Sequence, residues 1–164
     1  MSQVHLHLLI THLPVFGSIL GALVLGYGLW TKSSPTKNAA YFLFIIAGIG
    51  AGIAYLTGEG AEEATEKIAG VSENMIKLHE NSAMYALVSL IILGVASIFA
   101  LVETYLKTSL IKSTATLTLL LSLISFGLVA RTGYLGGQIR HTEISTGAGQ
   151  NITGGEEGQK DKDQ

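Results

Sequence analysis

Five histidines carry most of the chemistry this chain can offer: His5, His7, His12, His79 and His141. A neutral imidazole is a good ligand for iron, copper or zinc. Cysteine is absent, which removes disulfides, thiolate-held iron–sulfur clusters and the Cys-x-x-Cys-His attachment of covalent haem. A haem in this chain would be held by coordination and packing alone. No nucleophile–base constellation or phosphate loop is present, and Gly58-x-Gly60 is too short to count as one.

The segments that position these side chains are strongly apolar. Of 164 residues, 48% are hydrophobic and 13% charged, and the mean hydropathy is +0.46. A soluble domain carries about 25% charged residues. Four apolar runs, 13–30, 39–57, 83–102 and 114–130, lie near the roughly 20 residues needed to cross a ~30 Å hydrocarbon core as a helix. The expected fold class is all-α: an integral membrane four-helix bundle over 1–141, antiparallel and up-down with short cytoplasmic loops. A polar, Gly-rich tail over 142–164 follows it. The first run reads as a span and not as a cleaved leader, because no basic stretch or small-residue cleavage site accompanies it.

Finer boundaries follow from local signals. The first helix is expected from Ser2 to Trp30 with an early kink at Pro14. Residues 31–38 and 103–113 read as short loops. The acidic stretch 58–71 is expected to hold a separate surface helix from Ala61 to Ala69, and Ser72 with Glu73 marks the third helix start. Gly17-x-x-x-Gly21, Ala22-x-x-x-Gly26 and Gly48-x-x-x-Gly52 let backbones approach closely, within the bundle or at a homodimer seam.

Lys32, Lys37, Lys107 and Lys112 lie in the two short loops, which the positive-inside rule places in the cytoplasm. Both termini then face the periplasm across a bacterial inner membrane. Helices one and three start on that outer side and helix four ends there, so all five histidines gather at one acidic face. The expected ligands are His7, His12, His79 and His141, with His12 the deepest in an apolar run and His79 its nearest partner. Arg131 near the same interface wants a carboxylate or phosphate fork, which haem propionates, Glu59 or Glu80 would supply. The net charge of −2 and the lack of a basic stripe argue against nucleic acid.

His7-Leu-Leu-Ile-Thr-His12-Leu-Pro14 resembles the opening His-Pro-x-x-x-His-Phe-Pro of a small bacterial four-helix membrane family, domain of unknown function 2231. Gly133-Tyr-Leu-Gly136-Gly137 resembles that family's Gly-Trp-Leu-Gly-Gly, and Lys77-Leu-His79-Glu80-Asn81 is similar to its third-helix start. Leu8 in place of the first Pro, the additional His5 and the short spacing from Gly137 to His141 depart from it. The resemblance implies ligand roles best for His7, His12 and His79. Because some relatives are fused to c-type cytochrome domains, it also implies membrane electron transfer by association.

The residues and the resemblance together lead to an expectation of a membrane-bound b-type cytochrome. It would hold one or two haems b through His pairs and exchange electrons with membrane or periplasmic electron-transfer proteins. Two other readings stay open: a cofactor-free accessory subunit of a larger membrane complex, and a His-rich copper or zinc site.

Overall fold

The computed structural model describes residues 3–66, 71–107 and 109–140, with backbone alone for 64–66 and 140. These form α1 (Gln3–Ile10), α2 (His12–Trp30), α3 (Ser34–Glu66), α4 (Glu73–Leu106) and α5 (Ile111–Arg140). There is no strand among the described residues. Segments α1 and α2 together make one span, and four helices in all are long and apolar enough to cross a membrane.

The break between α1 and α2 falls at Thr11. Pro14 has no N–H to offer the carbonyl of Ile10, and its ring crowds that carbonyl, so the helix loosens one turn upstream. Side chains repair the turn. Thr11 Oγ1 and His12 Nδ1 both donate to the Leu8 carbonyl, each at 2.9 Å. At the next boundary Ser33 caps α3: its Oγ accepts the Thr36 N–H at 3.3 Å, and Pro35 occupies the first turn, where its missing donor costs nothing. Helix α3 therefore starts at Ser34, ahead of position 39.

Helix α3 also runs on past its expected end, through Gly58 and Gly60 to Glu66. Each helical glycine costs roughly 1 kcal/mol in propensity. Here α1 lies along that glycine surface, with His7 over Gly58 and Gln3 over Gly60, and packing offsets the cost. No separate surface helix begins at Ala61; residues 67–70 of that expectation lie outside the described residues. Helix α4 starts after an extended Ser72, as the Ser72–Glu73 pair suggests, and ends on a left-handed Lys107 (φ 54°) whose N–H bonds to the Glu103 carbonyl.

Small residues set the spacing of the bundle. A Cβ on Gly17 would meet Ala47, on Gly21 the Phe44 ring, and on Gly28 Lys37, so the contact falls along α3 as it climbs along α2. Gly48 lies against the Leu90 carbonyl of α4. The glycine stripes thus serve contacts within the chain, except Gly26 and Gly52, which face open space. The interior is filled by alanine, serine and a few large side chains: Leu25, Tyr41, Phe44, Leu90 and Leu93. The exterior carries Leu20, Leu23, Phe42, Ile46, Ile49, Ile91, Ile98 and Phe99. A soluble bundle would reverse that distribution; a bilayer accommodates it, and exposed Tyr27, Trp30 and Tyr105 mark one rim.

Gly21→Ala and Gly26→Ala separate packing from propensity on one helix. Gly21→Ala should destabilise the detergent-solubilised protein by about 1–3 kcal/mol through overpacking against Phe44. Gly26→Ala should be neutral or stabilise by up to about 1 kcal/mol. Thermal or SDS unfolding midpoints measure both, and equal midpoints would contradict the contact.

Candidate functional site

The site lies at the bundle end where α1 and α4 begin and α5 finishes. His7 Nδ1 is 2.8 Å from the main-chain oxygen of Ala54 on α3. A carbonyl can only accept, so Nδ1 carries the hydrogen and donates it. His79 Nδ1 donates in the same way, at 3.0 Å, to the carbonyl of Thr132 on α5. Each ring therefore reaches across to a facing helix, and each is committed to the tautomer whose Nε2 holds a lone pair. A ring nitrogen so released, with its partner nitrogen pinned to a carbonyl, is the usual arrangement of a metal-binding histidine.

Close backbone approach makes these bonds possible. A Cβ on Gly136 would sit 3.0 Å from His79 Cε1 and 3.2 Å from Nδ1, so the imidazole occupies space that a side chain at 136 would need. Gly58 plays a looser version of this part for His7, at 3.8 Å from Cε1. Thr57 Oγ1 adds a longer contact to His7 Nδ1 at 3.4 Å. Both rings are half-buried. His7 lies within electrostatic reach of His79.

A hydroxyl relay supports the His79 side. Thr132 Oγ1 donates to the Leu128 carbonyl at 2.9 Å and lies 2.8 Å from the fully buried Ser82 Oγ. Arg131 Nη1 reaches the same Ser82 Oγ at 3.4 Å. The guanidinium thus stands one helical turn from His79, otherwise exposed, and it pairs with neither Glu59 nor Glu80. Lys77 pairs instead with Glu73 on its own helix, an exposed ion pair at 2.8 Å.

The other histidines fall elsewhere. His12 is exposed on the outer surface, bonded back across the Thr11 break to Leu8 of α1 and stacked on Phe16 with ring centroids 6.2 Å apart. His7, not His12, lies within electrostatic reach of His79. Five residues separate the two, which is about 140° around a helix, so they cannot share a face. His5 is exposed. His141 lies outside the described residues. Sequence reasoning missed Ala54, Thr57, Ser82 and Thr132, since main-chain acceptors leave no residue-type signal. Gly136 was legible only as part of a motif.

Among the described residues no three His, Cys, Asp or Glu side chains come together as a metal-binding group. The chain brings together a pair of imidazoles. No family model matches this chain, and neither does any curated protein or solved structure.

The Gly136–His79 contact predicts a specific coupling. Gly136→Ala should displace the imidazole and destabilise the protein by about 1–3 kcal/mol. In a His79→Ala background that penalty should largely vanish, giving a double-mutant coupling of about 1 kcal/mol or more. Additive effects on the unfolding midpoint would break the link.

Proposed function

We propose that this chain is a b-type cytochrome of the bacterial inner membrane, with haem b held non-covalently between His7 and His79. The observation that carries the reading is the pair of imidazoles whose Nδ1–H groups are bound to the Ala54 and Thr132 carbonyls, leaving both Nε2 atoms available. The donor set fits haem better than zinc or copper. A protein zinc site draws three or four ligands from side chains, whereas haem iron needs only two axial ones. Haem bound in this way would supply reversible one-electron chemistry, and two His ligands favour electron transfer over oxygen chemistry.

The chain's own residues supply the rest. The carbonyl bonds orient the rings and fix their tautomer. Gly58 and Gly136 keep room beside them. Arg131, with no carboxylate partner among the described residues and tethered to Ser82, is placed to meet an anionic group such as a propionate. The resemblance to the domain of unknown function 2231 family supports the same reading, since His7 and His79 both fall in the motifs that carry it.

In the membrane, the four spans run antiparallel and up-down. The lysines of the two short turns face the cytoplasm, and both termini and the imidazole pair lie on the periplasmic side. Electrons pass between a membrane donor and a periplasmic acceptor.

Protein purified from haem-replete cells should show a low-spin, six-coordinate haem b spectrum. His7→Leu and His79→Leu should each convert or abolish it, while His12→Leu leaves it intact. Colourless, metal-free protein would replace this reading with that of a cofactor-free accessory subunit. Three metal ligands emerging with bound zinc or copper would favour the third.

Orientation is tested separately by cysteines placed at Ser34 and Gln159 in the cysteine-free chain. A membrane-impermeant thiol reagent added outside spheroplasts should label position 159 and spare position 34. The reverse pattern would invert the topology.

A further inference from the structure

Helix α4 carries an exposed tyrosine near each end of its apolar stretch, Tyr85 and Tyr105. They stand twenty residues and so about 30 Å apart along the helix, which matches the hydrocarbon core of a bilayer. Interfacial tyrosines mark such rims. Ser82 lies one turn outside Tyr85, and Arg131 Nη1 of α5 reaches its hydroxyl at 3.4 Å. The guanidinium therefore sits just beyond the hydrocarbon, at the level of lipid phosphates.

Its donors are largely uncommitted. Thr132 Oγ1 gives its hydrogen to the Leu128 carbonyl, so Ser82 donates to Thr132 and accepts from Arg131. That contact occupies one of the five guanidinium N–H groups. Arg131 is exposed and has no carboxylate partner among the described residues. Tyr134, also exposed, accepts a hydrogen bond from Gln138 Nε2 at 3.0 Å, which leaves the phenol's own hydrogen to donate. Arg131, Tyr134 and Gln138 follow at i, i+3 and i+7, so one stripe of α5 presents a positive charge and a hydroxyl donor.

The same stripe continues inward as apolar surface. Gly127, one turn below Arg131, has open space where a Cβ would stand. Ile124 and Leu120, seven and eleven residues below Arg131, are both exposed. A cationic head over a recess and an apolar track has the outline of a phospholipid: phosphate, glycerol, acyl chain. Azimuth favours that ligand over a propionate. Arg131 and Gly136, against which the His79 ring lies, are five residues apart, about 140° around α5. The guanidinium and the imidazole belong to different faces.

We infer that Arg131 and Tyr134 bind the phosphodiester of a membrane phospholipid, whose acyl chain runs along Gly127, Ile124 and Leu120. A guanidinium fork matches two phosphate oxygens, and the phenol adds a third donor. The site does not depend on the imidazole pair, and its occupancy is read on haem-free protein.

The test uses the full chain in detergent, expressed without added haem precursor, with phosphatidylglycerol titrated into the micelles. A ligand that binds only the folded state raises the thermal midpoint in a saturable way, and that is the expected result. Diacylglycerol with the same chains, and free glycerol phosphate, should each give a much smaller rise. Arg131→Gln should lose the response to phosphatidylglycerol, and Arg131→Lys should retain part of it. Tyr134→Phe should weaken the apparent affinity by about tenfold, as for one lost hydrogen bond to a charged group. Gly127→Leu points into open space, so it should fold while weakening the lipid response. Equal rises with phosphatidylglycerol and diacylglycerol would overturn the site, as would a response unchanged in Arg131→Gln. A response that haem loading abolishes would give the guanidinium to a propionate and overturn it too. Failure to bind haem would leave the lipid response intact, so the two readings fail separately.

Discussion

Every main-chain N–H and C=O inside a bilayer must find its partner within the protein, because lipid offers none. That constraint forces the apolar runs into helices, and it also governs where polar side chains can go. Buried Ser18, Ser97 and Thr118 turn their hydroxyls back onto carbonyls one turn earlier in their own helices, at 2.7–2.8 Å. The imidazoles obey the same rule across helices. The carbonyls of Ala54 and Thr132 sit within regular helices, and each has a second lone pair to accept a ring N–H. Helical hydrogen bonding and the presentation of two Nε2 atoms are thus parts of one arrangement.

With no hydrophobic drive to bring helices together in lipid, the bundle relies on close contact. Glycine and alanine bring α2 onto α3, and Gly48 brings α3 onto the α4 backbone. The same small residues that allow this approach also prepare the site. Gly136 admits the His79 ring onto α5, and Gly58 and Gly60 admit α1 onto α3. Packing and function share a device here: the missing Cβ lets either a helix or an imidazole come within reach of a main-chain carbonyl.

The two ends of the bundle differ in how they treat charge. At the histidine end, the glutamates 59, 63, 73 and 80 are exposed, and the interior polar groups are neutral and fully hydrogen-bonded through Ser82 and Thr132. At the opposite end a carboxylate oxygen of Glu103 and the amide oxygen of Asn38 have no hydrogen-bond partner among the described residues.

The sequence by itself determined the four helices long and apolar enough to span a membrane and the shared end of the bundle on which His7 and His79 lie. Both follow from length, hydropathy and chain direction, which are one-dimensional properties. It also marked Pro14 as the place where the first span breaks and Ser72 as the start of α4. What only the tertiary structure decided was azimuth. In a soluble helix the apolar stripe announces which face is buried, but these helices are apolar all round, so His7 and His12 carried no such label. The extension of α3 through Gly58 and Gly60 was hidden for a related reason. Glycine reads as a helix breaker in isolation, and only the packing of α1 over those positions makes it a point of contact.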